Sequence, residues 1–162
     1  MITGIATTPK RLSREKNVAR YVGKSHFDPN TGGVGASAFD RMPKDTDGLS
    51  VTQCGIFAKT SNKDDAQIRR VVGSRMKLGA TACFAQLNVG AALDALTTFE
   101  NEFYFQEDPL FAENERLANP AHALLIGLPF KDEAIGTLKA ELAGDLLKRI
   151  IQRTFPAIES AN

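Results

Sequence analysis

The sequence contains no tryptophan, two tyrosines, two cysteines and two histidines in 162 residues. Two cysteines cannot build a disulfide framework, and free thiols fit a reducing compartment. No apolar run approaches the roughly 20 residues that cross a bilayer. The opening Met1-Ile2-Thr3-Gly4-Ile5 lacks a basic segment followed by an apolar stretch, so no secretory signal is expected and the cytoplasm is the expected location. Charge of one sign is also missing in bulk. Twenty Lys and Arg against 19 Asp and Glu leave a net +1, which argues against a protein that coats duplex DNA and leaves only local patches to consider.

Hydrophobic residues make up 43% of the chain, enough for one real core at this length. The charge that is present is polarised. Met1 to Phe27 carries six basic residues and one acidic residue, while Phe99 to Asn119 carries six acidic residues and one basic residue. Such asymmetry bears on partners and self-association rather than on fold. Residues 1–16 are polar, basic and without periodicity, and read as a flexible arm. A single globular domain is expected over 17–156, with a short tail over 157–162.

Strands are predicted at Asn17–Val22, from Leu49, at Thr81–Val89, at Glu102–Gln106 and at His122–Leu128. The acidic residues around Glu102–Gln106 suit an edge strand, and the apolar run at His122–Leu128 suits a central one. A helix is predicted from about Lys63 to Leu78, with Ile68, Val71, Val72 and Met76 on one stripe and Gly79 as its stop. A second long helix is predicted from Asp132 to before Pro156, with Ile135, Leu138, Leu142, Leu146 and Ile150 as its apolar face. Beside that stripe, Gly136, Ala140 and Gly144 recur every four residues, which lets another backbone approach. Ala91–Phe99 reads as a weaker, short helix. The expected fold class is α+β, or α/β: a small mixed sheet with two long helices packed on it. The irregular stretch from Gly23 to Gly48 is long for a compact domain, and it is where any site is expected.

The histidines are His26, in that long loop, and His122, at the start of an apolar strand. Imidazole titrates near neutrality, so the pair suits acid–base work on a phosphate ester if the fold brings the rings together. Arg20 and Asp28 complete the candidate catalytic set. The hydroxyl residue that two-histidine phosphoesterases carry two positions after each histidine is absent here, where Asp28 and Leu124 stand. A metal site is not expected, because no His-x-x-x-His or Cys-x-x-Cys spacing supports one, and Asp28-Pro29 reads as an Asx turn. Cys83 reads as buried, and Cys54 has no neighbouring base to activate it. Gly33-Val34-Gly35-Ala36-Ser37-Ala38 formally matches a dinucleotide turn but follows no strand directly, so no cofactor is expected. Arg69, Arg70 and Lys24 form the candidate anion or nucleic-acid face. Phe103-Tyr104-Phe105 lies in acidic sequence, the wrong sign for stacking on nucleic acid.

Arg20-Tyr21-Val22, Lys24-Ser25-His26 with Asp28, Ala38-Phe39, Gly48-Leu49-Ser50-Val51, Leu87-Asn88-Val89-Gly90 and Pro120-Ala121-His122-Ala123-Leu124 resemble, in this order, islands of a family of small bacterial proteins without an assigned function. The chain departs from that pattern at Thr52-Gln53-Cys54. The resemblance implies a bacterial cytosolic protein and points at His26 and His122, but it carries no reaction and no cofactor. The expectation is a binding or accessory module rather than an enzyme, acting through a protein partner or its own oligomer. The alternatives are a histidine-assisted hydrolase or nuclease on phosphate esters, and a nucleic-acid-binding protein using its basic face.

Overall fold

A computed structural model describes residues 9–131 and 134–159. Six antiparallel strands form one sheet in the order β4-β5-β2-β1-β3-β6. They are β1 (Asn17–Val22), β2 (Leu49–Gln53), β3 (Cys83–Asn88), β4 (Tyr104–Glu107), β5 (His122–Ile126) and β6 (Arg153–Pro156). Among the described residues three helices pack on it: α1 (Ser61–Gly73), α2 (Val89–Ala95) and α3 (Ala134–Lys148). The class is α+β, as the alternation of elements predicts. The sheet is wholly antiparallel rather than mixed, and three helices rather than two long ones cover it.

Strand alternation gives the sheet two apolar faces. Val18, Val22, Leu49, Val51, Leu87 and Leu125 point to one face, where α2, α3 and a short 3-10 turn at Ala36–Phe39 bury them. Ala19, Phe84 and Phe155 point to the other, where Ile68 of α1 seals them. Phe84 and Phe155 stack there with ring centroids 5.1 Å apart. On this second face α1 meets Phe84 and Phe155, on β3 and β6. Along β1, β2 and β5 the same face borders an open cleft instead.

The second long helix stops at Lys148, well before Pro156, and the chain then enters β6. Ile150, Ile151 and Thr154 are β-branched, which disfavours helix and favours an outer strand. Gln152 donates its amide to the Gln86 carbonyl, and Arg153 forms a bidentate pair with buried Asp65 of α1. Pro156 costs no ladder bond at an edge position. The helix also faces the other way round from its leucine pattern: Leu138 and Leu142 are 68% and 51% exposed, whereas Ala140, Ala143 and Leu147 are buried. Small residues win because the 3-10 turn lies directly against the helix; a β-carbon at Gly144 would overlap the Ala36 carbonyl. The expected helix start at Asp132 and the side chains of Ile135 and Gly136 lie outside the described residues, as do residues 1–8 and 160–162.

Helix α1 begins at Ser61 after Thr60 and ends at Gly73, five residues short of the expected Leu78, and Met76 beyond it is 44% exposed. Ser74 ends it by donating its hydroxyl to the Val71 carbonyl and accepting the Leu117 amide. Buried Asp64 is held away from solvent by the amides of Gly55, Phe57 and Ala58, so it organises the loop before the helix as well as complementing its dipole.

The stretch read as a basic arm is, from Lys10 onward, part of the sheet's margin. Leu12 is buried and donates its amide to the Phe105 carbonyl, and Glu107 donates to the Lys10 carbonyl. Strand β4 is therefore the edge, as its acidic flanks suggest, and the N-terminal segment covers it. Arg11 stacks 3.9 Å over Tyr104 and pairs with Glu102 at 2.7 Å, while Arg14 pairs with Asp94. Strand β5 lies one position in from that edge, between β4 and β2. At the other end, Ala157 is buried and donates its amide to the Ala82 carbonyl.

Because the Gly144 contact is with backbone, relief requires the helix or the turn to move. Gly144→Ala is expected to lower stability by about 1–3 kcal/mol, read from urea unfolding, and Gly144→Leu by more. An unchanged midpoint in both would contradict this packing.

Candidate functional site

Strands β1 and β2 pair over only two positions, Val18 with Gln53 and Ala19 with Thr52. The same register carried one step further would make Tyr21 and Ser50 the next hydrogen-bonded pair, since the Asn17 carbonyl, two residues before Ala19, accepts the Cys54 amide across the same seam. The strands part instead. The Ser50 carbonyl accepts from Arg20 Nη1 at 2.9 Å, and Arg20 Nε donates to the Ala38 carbonyl at 3.0 Å. A side chain thus replaces the missing rung and ties the sheet to the long loop. Burial pushes the Arg20 guanidinium below its ordinary pKa, while Asp45 and then Asp40 pull it back up. Arginine stays charged in either case.

A cleft of about 510 Å³ opens at this split, in the size range of small-molecule sites. Its lining includes Arg20, Tyr21, Ser50 and Thr52 from the parted strands, His26, Ser37, Asp40, Lys44 and Asp45 from the 23–48 loop, and His122 from β5. The end of the α1 segment adds Val72, Arg75 and Met76. The loop is fixed at both sides. Arg41 donates to the carbonyls of Asp45, Thr46 and Leu128 and stacks over Phe130, and buried Asp40 accepts from Lys131 at 2.9 Å. That hydrogen bond is the first cause of the raised pKa of Lys131.

Of the candidate catalytic residues, Arg20, His26 and His122 line this one cleft and Asp28 does not. Asp28 closes its own turn: its carboxylate accepts the Asn30 amide at 2.8 Å, the Asx turn that Asp28-Pro29 predicts. His122 is built for orientation. Its Nδ1 lies 2.8 Å from the Asp108 carbonyl and 3.0 Å from Asp108 Oδ2. Both partners accept only, so in the neutral ring Nδ1 carries the proton and Nε2 keeps its lone pair. The β2–β5 register puts Thr52 directly across from His122. His26 Nδ1 is 2.9 Å from Ser37 Oγ, another cleft residue. Sequence reasoning missed Asp108, Asp40, Asp45 and Lys44. Asp108 carried no signal in the sequence, because only the antiparallel pairing of β4 with β5 brings it to His122.

Arg69, Arg70 and Lys24 are not joined by any hydrogen bond or ion pair among the described residues. Arg69 donates to the Pro156 carbonyl at 2.7 Å beside the Phe155 ring, Arg70 is exposed, and Lys24 stands exposed after β1. Arg75 is spent on the Leu117 and Phe111 carbonyls. Burial pushes the Cys54 thiol up to about 12, with Asp64 adding to the effect, and burial also raises Cys83. Neither is a nucleophile at neutral pH. No group of three or more His, Cys, Asp or Glu side chains suited to a metal occurs among the described residues. The glycine-rich segment forms a small hairpin, with Phe27 bridged to Val34, and opens no α-helix.

Comparison with known proteins gives no match, whether to a family model, to a curated protein or to a solved structure.

Lysine cannot span two carbonyls as the guanidinium fork does. Arg20→Lys is therefore expected to cost about 1–3 kcal/mol of unfolding free energy, measured in urea, and equal stability of the two proteins would contradict the bridging role.

Proposed function

We propose that the protein is a hydrolase of small anionic esters, phosphate esters foremost, working in the cleft between β1 and β2. One observation carries this reading: Arg20, His26 and His122 line a single cleft, with the His122 ring held through Nδ1 by Asp108. An arginine whose Nε and Nη1 are fixed on carbonyls presents its remaining N–H groups as a preorganised anchor for an anion. His122 takes a proton from water at Nε2, the water oxygen attacks the ester centre, and His26 returns a proton to the departing oxygen. Asp108 fixes the His122 tautomer and the orientation of its ring.

This reading displaces the expected binding module in favour of its alternative. The support for a module was the polarised charge, and two of the basic residues of that N-terminal segment are paired within the chain. The basic segment carrying Arg11 and Arg14 lies against Glu102 and Asp94. Nucleic-acid binding loses support likewise, since Arg69 and Arg75 are committed to backbone carbonyls.

Assayed on a panel of aryl phosphate mono- and diesters, the protein is expected to release the aryl alcohol with turnover. His122→Asn should lower kcat by about 10²–10⁴-fold, Asp108→Asn by less, and Asp28→Asn should leave it unchanged. No turnover across the panel, or full activity in His122→Asn, would overturn the proposal.

A further inference from the structure

The cleft has a second chemical character that hydrolysis alone does not require. The sequence holds three methionines; apart from Met1 these are Met42 and Met76, and both line this cleft. They are 41% and 44% exposed, among the few large apolar side chains left in water. They come from unrelated elements, Met42 from the long loop and Met76 from the turn after α1, and Leu110 joins them from the segment between β4 and β5. Phe111, next to Leu110, is 86% exposed, and its carbonyl is held by Arg75 of the same cleft. Apolar side chains scattered singly over a surface need no explanation, but three elements delivering theirs to one opening do. Methionine is unbranched and polarisable, which suits it to variable apolar and aromatic groups. The same cleft is lined by the fixed Arg20 charge. Parity adds a backbone donor, because the Tyr21 amide points toward β2, where the Ser50 carbonyl is already taken by Arg20.

We infer that the cleft takes an anionic group carried on a flat apolar body of about aryl size, with the anion on Arg20 and the body against Met42, Met76 and Leu110. The inference rests on the proposed function for its site but not for its chemistry. A free inorganic anion would leave the methionines in water, and an uncharged aromatic would make no use of the Arg20 N–H groups that the two carbonyls do not take.

Phosphonates separate the two readings because they cannot be hydrolysed as esters. Titrated calorimetrically into the full chain, phenylphosphonate is expected to bind about tenfold tighter than methylphosphonate, the increment of burying a phenyl in place of a methyl group. In the double variant Met42→Ser/Met76→Ser that preference should fall to about twofold or less, with methylphosphonate affinity and melting temperature retained; both sites are exposed, so folding is not at stake. Equal binding of the two ligands, a preference that survives the double substitution, or no binding of either would overturn the inference. Selective phenylphosphonate binding in a protein that hydrolyses no aryl phosphate would leave this inference standing and remove the hydrolase reading. Turnover with no aryl preference would do the reverse.

Discussion

The guanidinium of Arg20 sits between two backbone carbonyls, Ala38 O in the loop and Ser50 O on β2, at 3.0 and 2.9 Å. Everything distinctive about the molecule depends on that placement. A continuous ladder would close β1 onto β2 and leave no cleft. With no substitute for the lost rung, the Ser50 carbonyl would have only the water of the cleft as a partner. The arginine accepts the split, satisfies the carbonyl and fastens the 23–48 loop in one contact. Asp45 and Asp40 offset part of the cost of burying its charge, and Asp40 is in turn neutralised by Lys131. The chain from sheet to loop to the segment after β5 is therefore electrostatic as well as steric.

The two faces of the sheet divide the work. One carries the main core, where α3 comes close to the 3-10 turn because Gly144 has no side chain to obstruct it. The turn's Ala38 presents the carbonyl that Arg20 needs, so packing on the far face fixes chemistry at the split. The other face is covered by α1 at β3 and β6, and the uncovered remainder holds His122 and Thr52 in register. Charge polarity along the sequence turns out to be a device for closing the sheet: a basic N-terminal segment covers an acidic edge strand. Surface pairs such as Arg11–Glu102 contribute little energy each, but with the Leu12 and Glu107 backbone bonds they protect an edge that would otherwise invite strand addition.

Much of this was legible in the residues. Period-two alternation marks β1, the apolar run after the Gly79 stop marks β3, the apolar run after Pro120 marks β5, and the order of charges marks α1. The misreadings share a cause, which is local pattern overridden by a distant partner. Leucines at helical spacing outweighed Gly144 and Ala140, yet the helix buries the small residues because of a turn more than a hundred positions away. The β-branched Ile150-Ile151 pair announced the end of α3, and the strand after it is held by Asp65, Gln86 and Phe84, none of them near in sequence. For the site, the two histidines and Arg20 could be singled out as chemically capable. Asp108 could not, because only strand pairing puts it at His122, and no periodicity signals a ladder that stops after two rungs.

Amide hydrogen exchange at two residues of β1 tests the split most directly. Ala19 and Tyr21 both turn their N–H groups toward β2, but only Ala19 has a ladder partner there. The account predicts a strongly protected Ala19 amide and a Tyr21 amide that exchanges faster by orders of magnitude, as a group facing an open cleft does. Equal protection of the two would mean that the ladder is continuous, and with it the cleft and the bridging role of Arg20 would be lost.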